Sequence, residues 1–327
     1  METIALIENL KVHFNVRQAM LDFQPKKILK AVDGVSLELR KGEILGLVGE
    51  SGCGKSSLGR AIIRLIHPTS GTVDIQGVDF LSLEGKSLRQ ARTQIQMIFQ
   101  DPYASLDPRM TVFDILAEPL RAHRKLSAQE LSARVAKYLE MVGLSTKSVR
   151  KYPHEFSGGQ RQRIAIARAL ILEPKVVIAD EPVSSLDVSV QAQILNLLKD
   201  IQKQLGLSMI FISHNLAVVK YIADRIAVMY LGKIVETATK DELYASPRHP
   251  YTQALISAVP IPDPKLERAR TRIHLQGELP SPLNPPKGCA FNTRCPLATD
   301  QCRIETPQLE SVGKSPSWKV SCFEAEK

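Results

Sequence analysis

The feature that most restricts this chain is eight residues long: Gly49-Glu50-Ser51-Gly52-Cys53-Gly54-Lys55-Ser56. It follows the apolar run Ile44-Leu45-Gly46-Leu47-Val48, which suits a strand covered on both faces, and precedes Ser57-Leu58-Gly59-Arg60-Ala61-Ile62-Ile63, which suits a helix. A glycine-rich turn in that setting, matching G-x-x-x-x-G-K-[ST], lets backbone N–H groups wrap phosphates. The helix N-terminus adds a favourable dipole, Lys55 neutralises the β and γ oxygens, and the Ser56 hydroxyl is a ligand for Mg²⁺. A nucleoside triphosphate is the expected ligand, and a parallel sheet the expected frame.

Val176-Val177-Ile178-Ala179-Asp180-Glu181 ends a second buried strand with two carboxylates. Asp180 at the strand tip is the expected Mg²⁺ residue. Glu181 is placed to polarise an attacking water as general base, a role worth roughly 10²- to 10⁴-fold in rate. With the phosphate loop this describes a P-loop nucleotide hydrolase.

Ile7 to Phe14 and Ala31 to Leu39 alternate as half-covered strands, separated by a polar insert that reaches about Lys30. From about Asp101 to Phe156 the spacing turns helical: Glu130, Leu131, Val135, Leu139 and Val142 recur three and four apart and stop at Gly143, which reads as an inserted lobe. Met209 to Ser213 resumes the buried-strand pattern after a helical stretch from Val190 to Leu205. Beyond Tyr251, prolines 260, 262, 264, 280, 282, 285 and 286 mark a turn-rich tail, so the domain boundary is set near Ala258. The expected division is 1–258 for the nucleotide-binding domain, with the helical lobe at about 101–160, and 259–327 for the tail.

No apolar stretch approaches the roughly 18 residues that span a bilayer, and the start lacks the pattern of an export signal, so a cytosolic placement is expected. The 43 Lys and Arg against 34 Asp and Glu give a net charge of +9, which suits polyanions or the anionic face of a membrane without separating them.

Phe156-Ser157-Gly158-Gly159-Gln160 resembles the signature of ATP-binding cassette (ABC) proteins, normally Leu-Ser-Gly-Gly-Gln, with Phe156 as the departure. The resemblance implies an α/β fold: an ABC-type P-loop NTPase core with a parallel sheet, an antiparallel β subdomain and the inserted helical lobe, plus a small irregular C-terminal region carrying cysteines. It also implies ATP as the nucleotide, held by Phe14 against adenine and by the loop from Gly49 through Glu50, Ser51, Gly52, Cys53, Gly54, Lys55 and Ser56 to Ser57. Gln100, after Met97-Ile98-Phe99, looks like the metal-touching glutamine. His214 looks like the switch histidine beside the γ-phosphate, and Ser184-Ser185-Leu186-Asp187 like the loop that contacts an opposite subunit. In this family two cassettes face head to tail. Ser157, Gly158, Gly159 and Gln160 therefore serve a site on another chain, and a second cassette is required.

Arg248-His249-Pro250-Tyr251-Thr252-Gln253-Ala254-Leu255 and Gly277 to Pro286 look like the C-terminal region of the ATPase subunits of bacterial oligopeptide and dipeptide importers, and Val259-Pro260-Ile261-Pro262-Asp263-Pro264 leans toward the oligopeptide member. Such importers combine two permease subunits, two different ATPases and an external peptide-binding protein. The resemblance thus implies a peripheral position on the cytoplasmic face of the inner membrane and no nucleic-acid partner. A soluble cassette ATPase acting on nucleic acid or ribosomes is the alternative, and it usually carries tandem cassettes or long coiled coils, which are absent here. Cys289, Cys295, Cys302 and Cys322 form C-x₅-C-x₆-C-x₁₉-C on the tail. Four thiolates can hold one metal centre. The resemblance makes a [4Fe–4S] cluster the first expectation, zinc the second and unliganded thiols the third.

Overall fold

Apolar runs of five and six residues become strands with no exposed position: Ile44–Val48, Val176–Asp180, Ser208–Ser213 and Arg225–Tyr230 are buried throughout. The computed structural model describes residues 2–16, 27–260, 263–269, 272–313 and 315–325. Most of the expected polar insert, and Ile261 and Pro262 of the proline-rich stretch, lie outside the described residues. The chain forms two compact units, one of Met1–Ala5, Leu39–Ile44 and Asp74–Ile212, the other of Leu6–Glu38, Leu45–Val73 and Ser213–Lys327.

In the first unit Val176–Asp180 lies between Ile95–Ile98 and Ser208–Ser213, parallel to both, with Ile98 opposite Ala179 and Asp180 opposite Ile212. Parallel strands covered on both faces tolerate few polar side chains, so the carboxylate of Asp180 collects at a strand end. The helical lobe is built as its spacing predicts. Ser127 accepts from the Glu130 amide while the Glu130 carboxylate accepts from the Ser127 amide at 2.8 Å, a reciprocal cap that starts Ala128–Met141. That helix buries Leu131, Val135, Tyr138 and Leu139 on one face. Thr111 caps Val112–His123 in the same way, through the amide of Asp114. A hairpin of Ser70–Ile75 and Val78–Asp79, antiparallel with Asp74 opposite Asp79, adds β structure of the other kind.

In the second unit Ile44–Val48 runs parallel to Arg225–Tyr230, which turns back antiparallel into Lys233–Thr239. The tail is irregular, as expected, yet it contributes short elements of its own. Lys319–Val320 pairs antiparallel with Lys233–Thr239, placing Val320 opposite Glu236, and Glu310–Ser311 pairs outside it. What ties the tail down is Glu236, fully buried, whose carboxylate accepts from the Arg248 amide at 2.9 Å, the His249 amide at 3.0 Å and the Trp318 indole N–H at 3.0 Å. A buried carboxylate is tolerated only when so satisfied.

Candidate nucleotide site

The phosphate loop leaves Ile44–Val48 and enters the helix Lys55–Ile62 through three glycines with positive φ: 156° at Gly49, 80° at Gly52 and 106° at Gly54. Gly49 and Gly54 are required on two grounds. Their backbone lies where L side chains are strained, and an added Cβ would meet the Met229 carbonyl at 2.1 Å and the Ala31 carbonyl at 2.0 Å. Lys55 is 4% exposed, and its ammonium donates to the carbonyls of Gly49 at 2.8 Å and Glu50 at 2.9 Å. The lysine is therefore held at the loop it serves. Cys53 is buried, and burial raises its thiol pKa against the opposing charge of Lys55, so it is a packed, neutral thiol.

At the end of Val176–Asp180, the first unit sets two carboxylates side by side. Asp180 is fully buried, and Glu181 takes up the left-handed backbone at φ 46°. That conformation is uncommon outside glycine and recurs at functional sites. Gln100 donates its side-chain amide to the Glu181 carboxylate at 3.1 Å, leaving the amide oxygen as an acceptor. The expected metal-touching glutamine and the expected base are thus direct partners.

Ser157 opens the helix Gly158–Leu170, and its hydroxyl accepts from the Gln160 amide while the Gln160 side-chain oxygen accepts from the Ser157 amide at 3.0 Å. Ser157, Gly158 and Gln160 are exposed and Phe156 is buried at 6%, so the aromatic departure in the signature acts as a core residue beneath a solvent-facing helix start. A Cβ on Gly159 would come within 2.5 Å of Val190, which explains why no larger residue stands there. The helix offers its N–H groups and dipole to the outside.

Residues 32–184 match the family model described as ABC transporter, and residues 235–302 match the oligopeptide/dipeptide transporter C-terminal region. The chain is 58% identical to the oligopeptide transport ATP-binding protein OppF of Salmonella typhimurium over 98% of its length and 96% of that protein's. This chain belongs to the ABC transporter family of ATPases. It is 51% identical to the oligopeptide transport ATP-binding protein AppF of Bacillus subtilis, covering 98% of this chain and 97% of that one. Among solved structures it resembles the ATP-binding cassette MJ0796 in a dimeric post-hydrolysis state bound to ADP and Pi, with a TM-score of 0.64 at 28% identity over 72% of this chain and 98% of that one.

As an ABC ATPase the chain works on ATP with Mg²⁺. The expected ligand types, a hydroxyl at Ser56, a carboxylate at Asp180 and an amide oxygen at Gln100, are the oxygen donors that Mg²⁺, a hard cation, takes. The phosphate loop, Phe14 and His214 lie in the second unit of the cassette, and Gln100, Asp180, Glu181 and the signature in the first. Phe14 is half-buried on Thr3–Val16. His214 is exposed, between Ser208–Ser213 and the cap residue Asn215 of Leu216–Ile222.

The tail cysteines do not support the expected metal centre. Among the described residues Cys289, Cys295, Cys302 and Cys322 form no disulfide. Burial pushes Cys289 up to about 11, and charge on Cys302, Cys322 and Cys295 would add to the rise; burial raises Cys295 and Cys322 as well. Yet among the described residues no group of three or more His, Cys, Asp or Glu is arranged to hold a metal ion. The expectations of a [4Fe–4S] cluster and of zinc therefore find no support in the donor set.

Sequence reasoning passed over two contacts that reach the phosphate loop. Tyr251 accepts from the Glu50 amide at 2.9 Å through its hydroxyl, and Arg294 grips the Glu50 carboxylate with two N–H groups at 2.8 and 3.1 Å. Tyr251 belongs to a stretch read only for its family likeness, and Arg294 sits unremarked beside Cys295. No local spacing announces a pair 244 residues apart.

Proposed function

We propose that this cassette hydrolyses ATP to drive uptake of peptides, oligopeptides foremost, across the cytoplasmic membrane. The observation that carries the reading is the union of a cassette with the oligopeptide/dipeptide C-terminal region on one chain. The identity with OppF along nearly its whole length supports it. Among the described residues no helix is long and apolar enough to cross a membrane, so the transport path belongs to other subunits: two permeases, with an external peptide-binding protein supplying substrate. The chain then sits peripherally on the cytoplasmic face, and its functional division lies near Ala258.

In this reading Phe14 stacks on adenine, and the loop from Gly49 to Ser57, with Lys55, holds the phosphates. Ser56, Asp180 and Gln100 provide for Mg²⁺, which when bound offsets the charge developing on the transferred phosphoryl group. Glu181 takes the proton of the attacking water, and His214 senses the γ-phosphate. Ser157, Gly158, Gly159 and Gln160 complete the site of a second, different ATPase. That use fits an exposed helix start, and it also fits Val188, 82% exposed just after Asp187 at the head of Val188–Leu205. An apolar side chain left in solvent there suits an interface with another chain.

Transmission to the permeases falls to the helical lobe. A groove of about 690 Å³ in the first unit is lined by Tyr103, Leu106, Asp107, Met110, Ile115 and Arg168, a mixed polar and apolar surface that can receive an amphipathic permease helix. Affinity purification of the full chain from membranes tests the assembly. Recovery with two permeases and a second ATPase is expected; recovery with ribosomes or DNA instead would overturn the proposal. No metal centre at the four cysteines enters this reading.

A further inference from the structure

The second residue of the phosphate loop is an acid. Glu50 stands beside the place where a polyphosphate carrying several negative charges is to bind, and a carboxylate there opposes that binding. The structure neutralises it from an unexpected quarter. Arg294, whose side chain is 8% exposed, makes a two-pronged ion pair with Glu50, whose side chain is 29% exposed. The Glu50 carboxylate in turn holds the guanidinium charged, raising its pKa further. Paired prongs fix direction as well as charge.

The segment bearing Arg294 is itself anchored. Phe291 is 1% exposed and packs edge-on against Tyr230, with ring centroids 5.2 Å apart, and against Tyr251 at 5.5 Å. Tyr251 and Tyr230 are in contact at 4.7 Å, and the Tyr251 hydroxyl takes the Glu50 amide proton. Glu50 is thus held by its amide, by its carboxylate and, through its carbonyl, by the Lys55 ammonium. Two of those three anchors come from residues after 250.

We infer that Arg294 is a positioning residue for ATP binding, a clamp from the cysteine-bearing tail that neutralises Glu50 and fixes the first turn of the phosphate loop. The inference rests on the reading of Gly49 to Ser56 as the phosphate site. It makes the C-terminal region part of the nucleotide-binding apparatus. A tail that only decorated the surface would have no such effect.

The test is Mg-ATP titration of the purified full chain by calorimetry, with thermal unfolding midpoints measured alongside. Arg294→Ala weakens ATP binding at least about tenfold, the size expected for losing charged hydrogen bonds and exposing a carboxylate to the phosphates. Adding Glu50→Gln to Arg294→Ala restores affinity to within about threefold of wild type, because the offending charge is gone. Arg294→Lys, which keeps the charge but not the fork, falls between. Should Arg294→Ala lower the unfolding midpoint, Arg294→Gln carries the same comparison with a side chain of similar reach. A double variant no better than the single one overturns the inference, since mere loss of packing would not be rescued by removing a charge. So does unchanged affinity in Arg294→Ala. Lys55→Ala separates the two levels of the argument: if it leaves ATP affinity intact, the phosphate-site reading itself fails.

Discussion

Gln100 and Glu181 meet through one hydrogen bond, amide to carboxylate at 3.1 Å, across 81 residues of sequence. The contact joins the residue expected to touch the metal to the residue expected to activate water. It also orients a carboxylate carried on strained left-handed backbone. Glu181→Gln should retain ATP binding while turnover falls roughly 10²- to 10⁴-fold, the usual worth of a general base. Steady-state hydrolysis by the assembled transporter checks this, and undiminished turnover would remove Glu181 from its role.

Gln100→Ala frees the Glu181 carboxylate from a charged-acceptor hydrogen bond worth about 1.5–3 kcal/mol. If that bond orients the base, the assembled transporter loses about tenfold in kcat with little change in KM for ATP. A rise in KM at constant kcat would assign Gln100 to ground-state binding instead.

Gly54→Ala should destabilise the fold through both strained backbone and a Cβ 2.0 Å from the Ala31 carbonyl. Left-handed strain alone costs about 1–3 kcal/mol, and the clash adds to it. Denaturant unfolding measures the loss, with Gly52→Ala as the comparison: its φ is also positive, but no atom lies within 4 Å of the added carbon. The Gly54 variant should lose clearly more.

Ser157→Ala removes the hydroxyl that accepts from the Gln160 amide, a cap worth about 1 kcal/mol. Because the signature is proposed to serve the partner cassette, ATP binding to the isolated chain should be unaffected while hydrolysis by the assembled complex falls. Weakened binding in the isolated chain would contradict that division of labour.

Stability should also decline with acid through His249. Burial lowers its pKa from 6.5 to about 3, and its Nδ1 accepts from the Tyr251 amide, which requires the neutral ring. The unfolded chain gains a proton near 6.5 that the folded chain refuses. Stability is therefore complete above about pH 6.5 and falls by up to about 1.4 kcal/mol per pH unit as pH drops toward 3. Urea unfolding between pH 7.5 and 4.5 reads the slope, and His249→Asn, which can still accept at the cap, should flatten it.

The nucleotide motifs were legible because their chemistry is local. Gly49 to Ser56 and Phe156 to Gln160 announce turn, helix start and ligand type within a few residues, and Val176 to Glu181 does so by ending an apolar run in acids. The helix Ala128–Met141 was readable from its period, and its start became certain only with the Ser127 and Glu130 cap. The tail was not readable. Its prolines signal turns, but the buried Glu236 that collects Arg248, His249 and Trp318, and the Arg294 that reaches back to Glu50, depend on chain segments 12 to 244 residues apart. The cysteine spacing suggested a metal centre, but spacing cannot say whether four sulfurs are arranged to hold an ion, and among the described residues no such group is found.

The most direct measurement is uptake of a labelled oligopeptide by cells from which this chain has been deleted, complemented by wild type or by Glu181→Gln at equal abundance. Deletion should abolish ATP-dependent uptake, wild type should restore it, and Glu181→Gln should not. Peptide uptake that persists in the deletion strain at the wild-type rate would contradict the assignment of this cassette as the motor of peptide import.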